Sequence, residues 1–133
     1  MNYIPRNLEV IVKQVTEEYP VVLVTGPRQV GKTTMLQNLM ENTGRGYVSL
    51  DDLSERSLAR EDPELFLQLH KPPVLVDEVQ YAPELFTYIK IYVDTHHEPG
   101  AFWLTGSHVF KRMDGVQESL AGRVAVLSMT SLA

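Results

Sequence analysis

The feature that most constrains this chain is the segment from Gly26 to Thr33, which reads GPRQVGKT and follows the pattern Gly-x-x-x-x-Gly-Lys-Thr. It comes directly after the apolar, β-branched run Val21–Val24, which is typical of a strand buried on both faces. It precedes residues 35–40, whose apolar spacing predicts a helix with one apolar stripe. A glycine-containing loop between a buried strand and a helix predicts a P-loop.

The chemistry of this loop explains the spacing of its residues. The glycines let successive amide N–H groups turn toward phosphate oxygens, and the following helix adds the positive end of its dipole. Lys32 is predicted to reach the β- and γ-phosphates, and the Thr33 hydroxyl to ligate Mg²⁺. In a sequence of average composition, this pattern would arise by chance at about 4 in 100,000 starting positions, which favours a functional loop over a chance match. The residues predicted to bind ATP are Gly26, Pro27, Arg28, Gln29, Val30, Gly31, Lys32, Thr33 and Thr34.

Strand and helix patterns alternate along the whole chain. An amphipathic helix is predicted over residues 5–19, and further strands at residues 47–50, 74–76, 101–104 and 124–127. Helix starts are expected at Asp52, where Glu55 completes a capping-box pattern, at Asp62-Pro63, and at Pro83. The pattern predicts one α/β domain over residues 1–133, with a core from residue 20 onward and a mostly parallel sheet covered by helices on both faces.

An acidic pair follows the strand at residues 74–76. Carboxylates at a strand end face the ligand crevice of an open α/β sheet, so Asp77 is predicted to bind Mg²⁺ and Glu78 to deprotonate the attacking water. Alone, such a pair is more often a solvated turn. The P-loop upstream favours the functional interpretation.

Two weaker candidates stay open. Thr105 and Ser107 follow an apolar strand, where a hydroxyl could reach the γ-phosphate or simply cap the next helix. Arg123 precedes the last strand, where it could stabilise charge on the transferring phosphoryl group or form a surface ion pair. Arg28 could likewise contact phosphate or form a salt bridge.

Composition narrows the classes of partner. The net charge is -5 and Lys111-Arg112 is the one adjacent basic pair, so the sequence gives no direct sign of nucleic-acid binding. There is no cysteine, which excludes disulfides and thiolate chemistry. The apolar runs are too short to span a bilayer, and a cytoplasmic protein is expected.

Several segments in order resemble a known family, the prokaryotic AAA-type ATPases in which the AAA domain precedes a C-terminal domain of unknown function. The segments are Tyr3-Ile4-Pro5-Arg6, the Gly26–Thr34 loop, Leu50-Asp51-Asp52, Asp77-Glu78-Val79-Gln80, Leu104-Thr105-Gly106-Ser107 and Glu118-Ser119-Leu120-Ala121-Gly122-Arg123. The likeness covers nearly the whole chain.

The resemblance implies a three-layer P-loop NTPase core with a five-stranded sheet of order 5-1-4-3-2. It makes Lys32 and Thr33 the Walker A pair, Asp77 the Walker B magnesium residue and Glu78 the catalytic glutamate. It places Ser107 or Thr105 at the first sensor position and residues 4–6 near the adenine. It makes Arg123 an arginine finger that acts on the nucleotide of a neighbouring subunit, which implies a homo-oligomer.

The chain departs from the family at its end. Relatives continue into a helical lid and a further domain, both expected to be absent from a chain that stops at Ala133, and His108 after the sensor segment has no assigned role. The sequence therefore predicts Mg²⁺-dependent ATP hydrolysis. The alternative is a switch module that binds ATP or ADP with little turnover, and a small kinase ranks third.

Overall fold

The computed structural model describes residues 3–27, 31–107 and 120–129, and the backbone alone for residues 3–7. Within these ranges the strands β1 to β5 are Val21–Thr25, Gly46–Ser49, Val74–Asp77, Phe102–Gly106 and Val124–Ser128. The helices α1 to α5 are Tyr3–Thr16, Lys32–Leu39, Leu53–Glu61, Pro63–Leu69 and Leu85–His96. A short 3₁₀ turn, Val79–Tyr81, follows β3.

The strands form one parallel sheet in the order β2-β3-β4-β1-β5. This confirms the predicted order, read from the opposite edge. Strand β1 pairs with β4 on one side and β5 on the other, so that Val21 lies opposite both Phe102 and Val124. All five strands therefore run toward the same edge of the sheet, and β1, β3 and β4 end close together there.

Two apolar cores cover the two faces of the sheet. On β1, Val21 and Leu23 belong to one core, while Val22 and Val24 belong to the other. The first core lies under α3, α4 and α5, and the second lies under α1 and α2. Because side chains alternate along a strand, covering both faces requires the continuous apolar runs seen in the sequence. The predicted three-layer α/β architecture is confirmed.

Most helix ends lie near their local signals, although α1 begins at Tyr3 rather than residue 5 and α5 begins at Leu85 rather than Pro83. The side chain of Asp52 accepts hydrogen bonds from the backbone of Ser54 and Glu55, and Asp62 caps α4 in the same way. The predicted end of the first helix at residue 19 is wrong. The helix ends at Thr16. The N–H groups of Glu18 and Tyr19 both donate to the carbonyl of Val15, which forms a turn before Pro20.

The capping box predicted at the start of α3 is only half formed. Asp52 is the N-cap, but the carboxylate of Glu55 lies 2.9 Å from His70 Nε2 at the end of α4. Glu55 thus connects two successive helices in place of closing the cap. None of the helices in the described ranges has the length and apolar character that a membrane span requires.

Gly26 sits where β1 enters the loop and packs against the end of β5. A Cβ built on it would lie 2.1 Å from the carbonyl oxygen of Met129, and its φ of +153° disfavours side chains. The contact is close because the N–H of Met129 donates to the carbonyl of Thr25 at 2.8 Å. A methyl group at this position would push β5 away from β1.

We therefore expect Gly26→Ala to lower the free energy of unfolding by about 2 kcal/mol or more, measured by urea denaturation. The matched control is Gly46→Ala, where the new Cβ would meet Val74 at an ordinary 3.7 Å and φ is not positive. The control should stay within about 0.5 kcal/mol of the parent. Equal stability of the two variants would contradict the close packing described at Gly26.

Candidate phosphate-binding site

A polar pocket lies at the edge of the sheet where β1 and β3 end. It has a volume of about 300 Å³. Its lining residues are Gly31, Lys32, Thr33, Thr34, Asp51, Asp77 and Glu78. The structure thus brings together the candidate P-loop and the acidic pair, which lie more than forty residues apart in the chain.

The loop enters α2 through a glycine turn. Gly31 has a φ of +89°, in the left-handed region, and Lys32 is the first residue of α2. The N–H groups of the first helical turn have no partner within the helix, so this end attracts anions. Arg28, Gln29 and Val30 lie outside the described residues, so their predicted phosphate contacts remain predictions.

Lys32 is held inside the loop. The residue is 4% exposed, and Nζ donates to the carbonyl oxygens of Gly26 at 3.1 Å and Pro27 at 3.2 Å. An ammonium group has three N–H donors, and the loop carbonyls engage two of them. The positive charge is therefore fixed at the mouth of the loop, beside the N-terminus of α2.

Asp77 is surrounded by hydroxyl groups. Its Oδ1 accepts hydrogen bonds from Thr33, at 2.8 Å, and from the fully buried Thr105. Its Oδ2 accepts one from Tyr47 of β2 at 3.0 Å. Asp77 is 6% exposed, and hydrogen bonds of this kind hold a buried carboxyl group in one orientation.

The hydroxyl of Tyr47 keeps the proton that it donates to Asp77. Partial burial, together with the negative charge of Asp77 and the hydrogen bond to it, raises the pKa of Tyr47 to about 12. The phenol therefore stays protonated at neutral pH and keeps its O–H for the carboxylate. From the sequence pattern, this residue was predicted only to lie in a strand.

Glu78 is fixed through both its backbone and its side chain. It adopts a left-handed conformation, with φ 60° and ψ 50°, and its N–H donates to the hydroxyl of Thr105 at 2.9 Å. Its Oε1 accepts a hydrogen bond from the side-chain amide of Gln80 at 2.9 Å. The same Gln80 accepts one from the N–H of Ser107 at 3.3 Å.

Thr105 and Ser107 occupy different places in this network. The hydroxyl of Thr105 donates to Asp77 and accepts from the backbone N–H of Glu78. A helix cap by either hydroxyl would involve residues after Ser107, which lie outside the described residues. Ser107 lies just beyond β4 and reaches the acidic pair through Gln80. A direct contact of either hydroxyl with phosphate stays a prediction, and His108 lies outside the described residues.

Arg123 lies at the opposite edge of the sheet. It immediately precedes β5, and its side chain pairs with Asp94 of α5 through two contacts of 2.5 and 3.0 Å. The hydrogen bond from Arg123 lowers the pKa of Asp94, and the pKa of Arg123 is raised in turn. The structure does not bring Arg123 to the phosphate pocket of its own chain. A role toward a neighbouring chain stays a prediction.

A larger groove of about 520 Å³ lies elsewhere, between α4 and α5. Its walls include apolar side chains such as Leu67, Tyr88 and Ile91. A triphosphate needs N–H donors and a cation rather than apolar walls. The smaller pocket, with Lys32 and the start of α2, is therefore the better phosphate site.

Comparison with known proteins places the chain in a family. Residues 18–133 match the sequence model of a family described as AAA domain. Uncharacterised proteins of Mycobacterium bovis and Mycobacterium tuberculosis are each 33% identical to this chain over 113 residues. The match covers 85% of this chain and 25% of each relative, so the chain spans about a quarter of their length.

Two solved structures share the fold. A Walker-type ATPase of Pyrococcus abyssi has a TM-score of 0.62 and 18% identity, over 93% of this chain and 52% of its own. A DNA replication initiation factor has a TM-score of 0.61 and 19% identity, over 96% of this chain and 47% of its own. At these identities the likeness concerns the fold alone.

Proposed function

The chain belongs to the AAA domain family of P-loop ATPases, and from this premise we propose that it binds ATP with Mg²⁺ and hydrolyses it to ADP and phosphate. The observation that carries the proposal is the meeting of Lys32, Thr33, Asp77 and Glu78 in one polar pocket. A cation, two oxygen ligands and a carboxylate are the groups that phosphoryl transfer to water needs. A cytoplasmic location remains the expectation from sequence.

The residues of the pocket fit a magnesium site. Mg²⁺ prefers oxygen ligands and keeps several waters, and the Thr33 hydroxyl and Asp77 carboxylate lie 2.8 Å apart in the pocket. Thr33 and Asp77 would hold the ion, with Thr105 and Tyr47 orienting Asp77. When bound, Mg²⁺ would neutralise charge on the phosphate oxygens.

The chain's own residues supply the remaining steps. Lys32 and the N–H groups at the start of α2 bind and orient the phosphates, which accounts for much of phosphoryl-transfer catalysis. Glu78 orients the attacking water and accepts its proton. Thr105 holds the backbone of Glu78 in place during this proton transfer, since the Glu78 N–H donates to the Thr105 hydroxyl.

A second candidate function is a nucleotide-dependent switch with little turnover. Arg123 favours it, because this residue lies at the far edge of the sheet, half-buried and engaged by Asp94. An arginine in such a position would act on nucleotide only across an interface between two chains. Nucleotide binding would then change assembly even where no phosphate is released.

The test is a calorimetric titration with ATP and Mg²⁺, followed by phosphate release at several protein concentrations. We expect saturable binding and release of free phosphate. If Arg123 acts in trans, the rate per molecule rises with protein concentration, and Arg123→Ala removes that rise. Lys90→Ala is the control, because Lys90 is a basic residue beside the same Asp94.

The outcomes separate the two functions. Assembly that depends on ATP without phosphate release would favour the switch over the ATPase. Folded protein that binds no purine triphosphate in the presence of Mg²⁺ would remove both. A rate independent of concentration would assign hydrolysis to the single chain and withdraw the role of Arg123 in trans.

A further inference from the structure

Gln80 is the polar residue of the Asp77–Gln80 segment to which the proposed mechanism assigns no part. It lies in the 3₁₀ turn after β3, partly buried. Its Nε2 donates to Glu78 Oε1 at 2.9 Å, and its Oε1 accepts from the N–H of Ser107 at 3.3 Å. One side-chain amide therefore joins the carboxylate of Glu78 to the segment that follows β4.

We propose that Gln80 is a positioning residue that holds the Glu78 carboxylate for reaction with water and couples its position to Ser107. The inference rests on the proposed ATP hydrolysis. It assigns to Gln80 no contact with nucleotide. Its effect passes through Glu78, so it depends on the presence of that carboxylate.

The local geometry explains why Glu78 needs such a partner. Glu78 is 5% exposed, and a carboxyl group on a residue so far removed from water requires hydrogen-bond partners. The backbone of Glu78 is already fixed by Thr105, but a glutamate side chain keeps three rotatable bonds beyond it. A bond from Nε2 to Oε1 restricts those rotations and so orients the general base.

The chemistry of an amide fits both ends of this link. A glutamine side chain offers N–H donors to an ionised carboxylate and a carbonyl acceptor to a backbone N–H. Methionine has nearly the same length but neither group. Glutamate keeps the acceptor for Ser107 and replaces the donor by a second negative charge. The two substitutions therefore separate the contact with Glu78 from the contact with Ser107.

The experiment compares Gln80→Met and Gln80→Glu with the parent by single-turnover phosphate release at saturating ATP and Mg²⁺. We expect both variants to hydrolyse about 10- to 100-fold more slowly, with the dissociation constant for ATP within about twofold of the parent. The control is Gln68→Met, on an exposed position of α4. It should leave the rate and the affinity unchanged.

A double-mutant cycle then tests whether Gln80 acts through Glu78. In the Glu78→Gln background, adding Gln80→Met should cost no further rate, because the group that Gln80 orients is already inactive. A merely structural role would lower the rate in both backgrounds and weaken ATP binding. Urea denaturation of each variant shows whether it is folded.

The failures of the two proposals look different. If the parent hydrolyses ATP and Gln80→Glu and Gln80→Met match it, the role of Gln80 is wrong and the proposed function stands. If losses from Glu78 and Gln80 are additive, Gln80 acts elsewhere and the inference is also overturned. If the parent releases no phosphate, the proposed function fails and the inference fails with it.

Discussion

Replacing Lys32 with methionine is expected to weaken ATP binding by about a hundredfold or more, measured by calorimetric titration with Mg²⁺ present. A hydrogen bond to a charged group contributes about 1.5–3 kcal/mol, and the ammonium is predicted to reach two phosphate groups. Lys32 is 4% exposed and held by two loop carbonyls, so its charge is already in place before nucleotide arrives.

Two further variants make this result specific. Lys71→Met removes a lysine from an exposed position near the apolar groove between α4 and α5, and should leave affinity unchanged. Lys32→Arg keeps the charge, but a planar guanidinium does not fit a site shaped around an ammonium, so binding should remain weak. Full affinity in Lys32→Met, with the fold verified by circular dichroism, would show that the loop is not the phosphate site.

Much of the fold could be predicted because its signals are local. Strands covered on both faces must be apolar at consecutive positions, and the run Val21–Val24 shows this without any knowledge of its neighbours. The observed bounds of the strands differ from the predicted bounds by one or two residues. Thr25 and Asp77, for example, continue β1 and β3 although their polarity suggested the end of each strand.

The site could be predicted where its residues are close in sequence. Lys32 and Thr33 belong to one motif, and Asp77 and Glu78 directly follow a recognisable strand. Tyr47 and Gln80 could not be given roles in this way. Tyr47 meets Asp77 across 30 residues of chain, and Gln80 meets Ser107 across 27. An exposed tyrosine in a strand has the same local signal whether or not a carboxylate lies beside it.

Arg123 illustrates the opposite case. The sequence around Arg123 fits an arginine finger and a surface ion pair equally well. Within a single chain, only the packing of the folded structure distinguishes these two roles. The start of β5 lies at the edge of the sheet where β1 also starts, since Val124 pairs with Val21 in a parallel register. An arginine there is remote from the loop that follows β1, whatever its role toward another chain.

Glu78→Gln is expected to bind ATP like the parent and to hydrolyse it about 10²- to 10⁴-fold more slowly. The amide has the shape of the carboxylate but accepts no proton from water. Its carbonyl oxygen can still accept the hydrogen bond from Gln80, and the backbone bond to Thr105 is unaffected. The change therefore removes the general base with little disturbance of the pocket, and single-turnover phosphate release measures the loss.

The matched control is Glu84→Gln, an exposed glutamate that precedes α5 and lies outside the pocket. It should keep the parent rate, because it removes the same charge without touching the site. Equal rates in Glu78→Gln and parent would exclude Glu78 as the base, whatever the affinity for ATP. Slow phosphate release together with a weakened affinity for ATP would point to a damaged pocket. Glu78 is therefore the general base only if Glu78→Gln slows hydrolysis while ATP binding stays at the parent level, and Glu84→Gln changes neither.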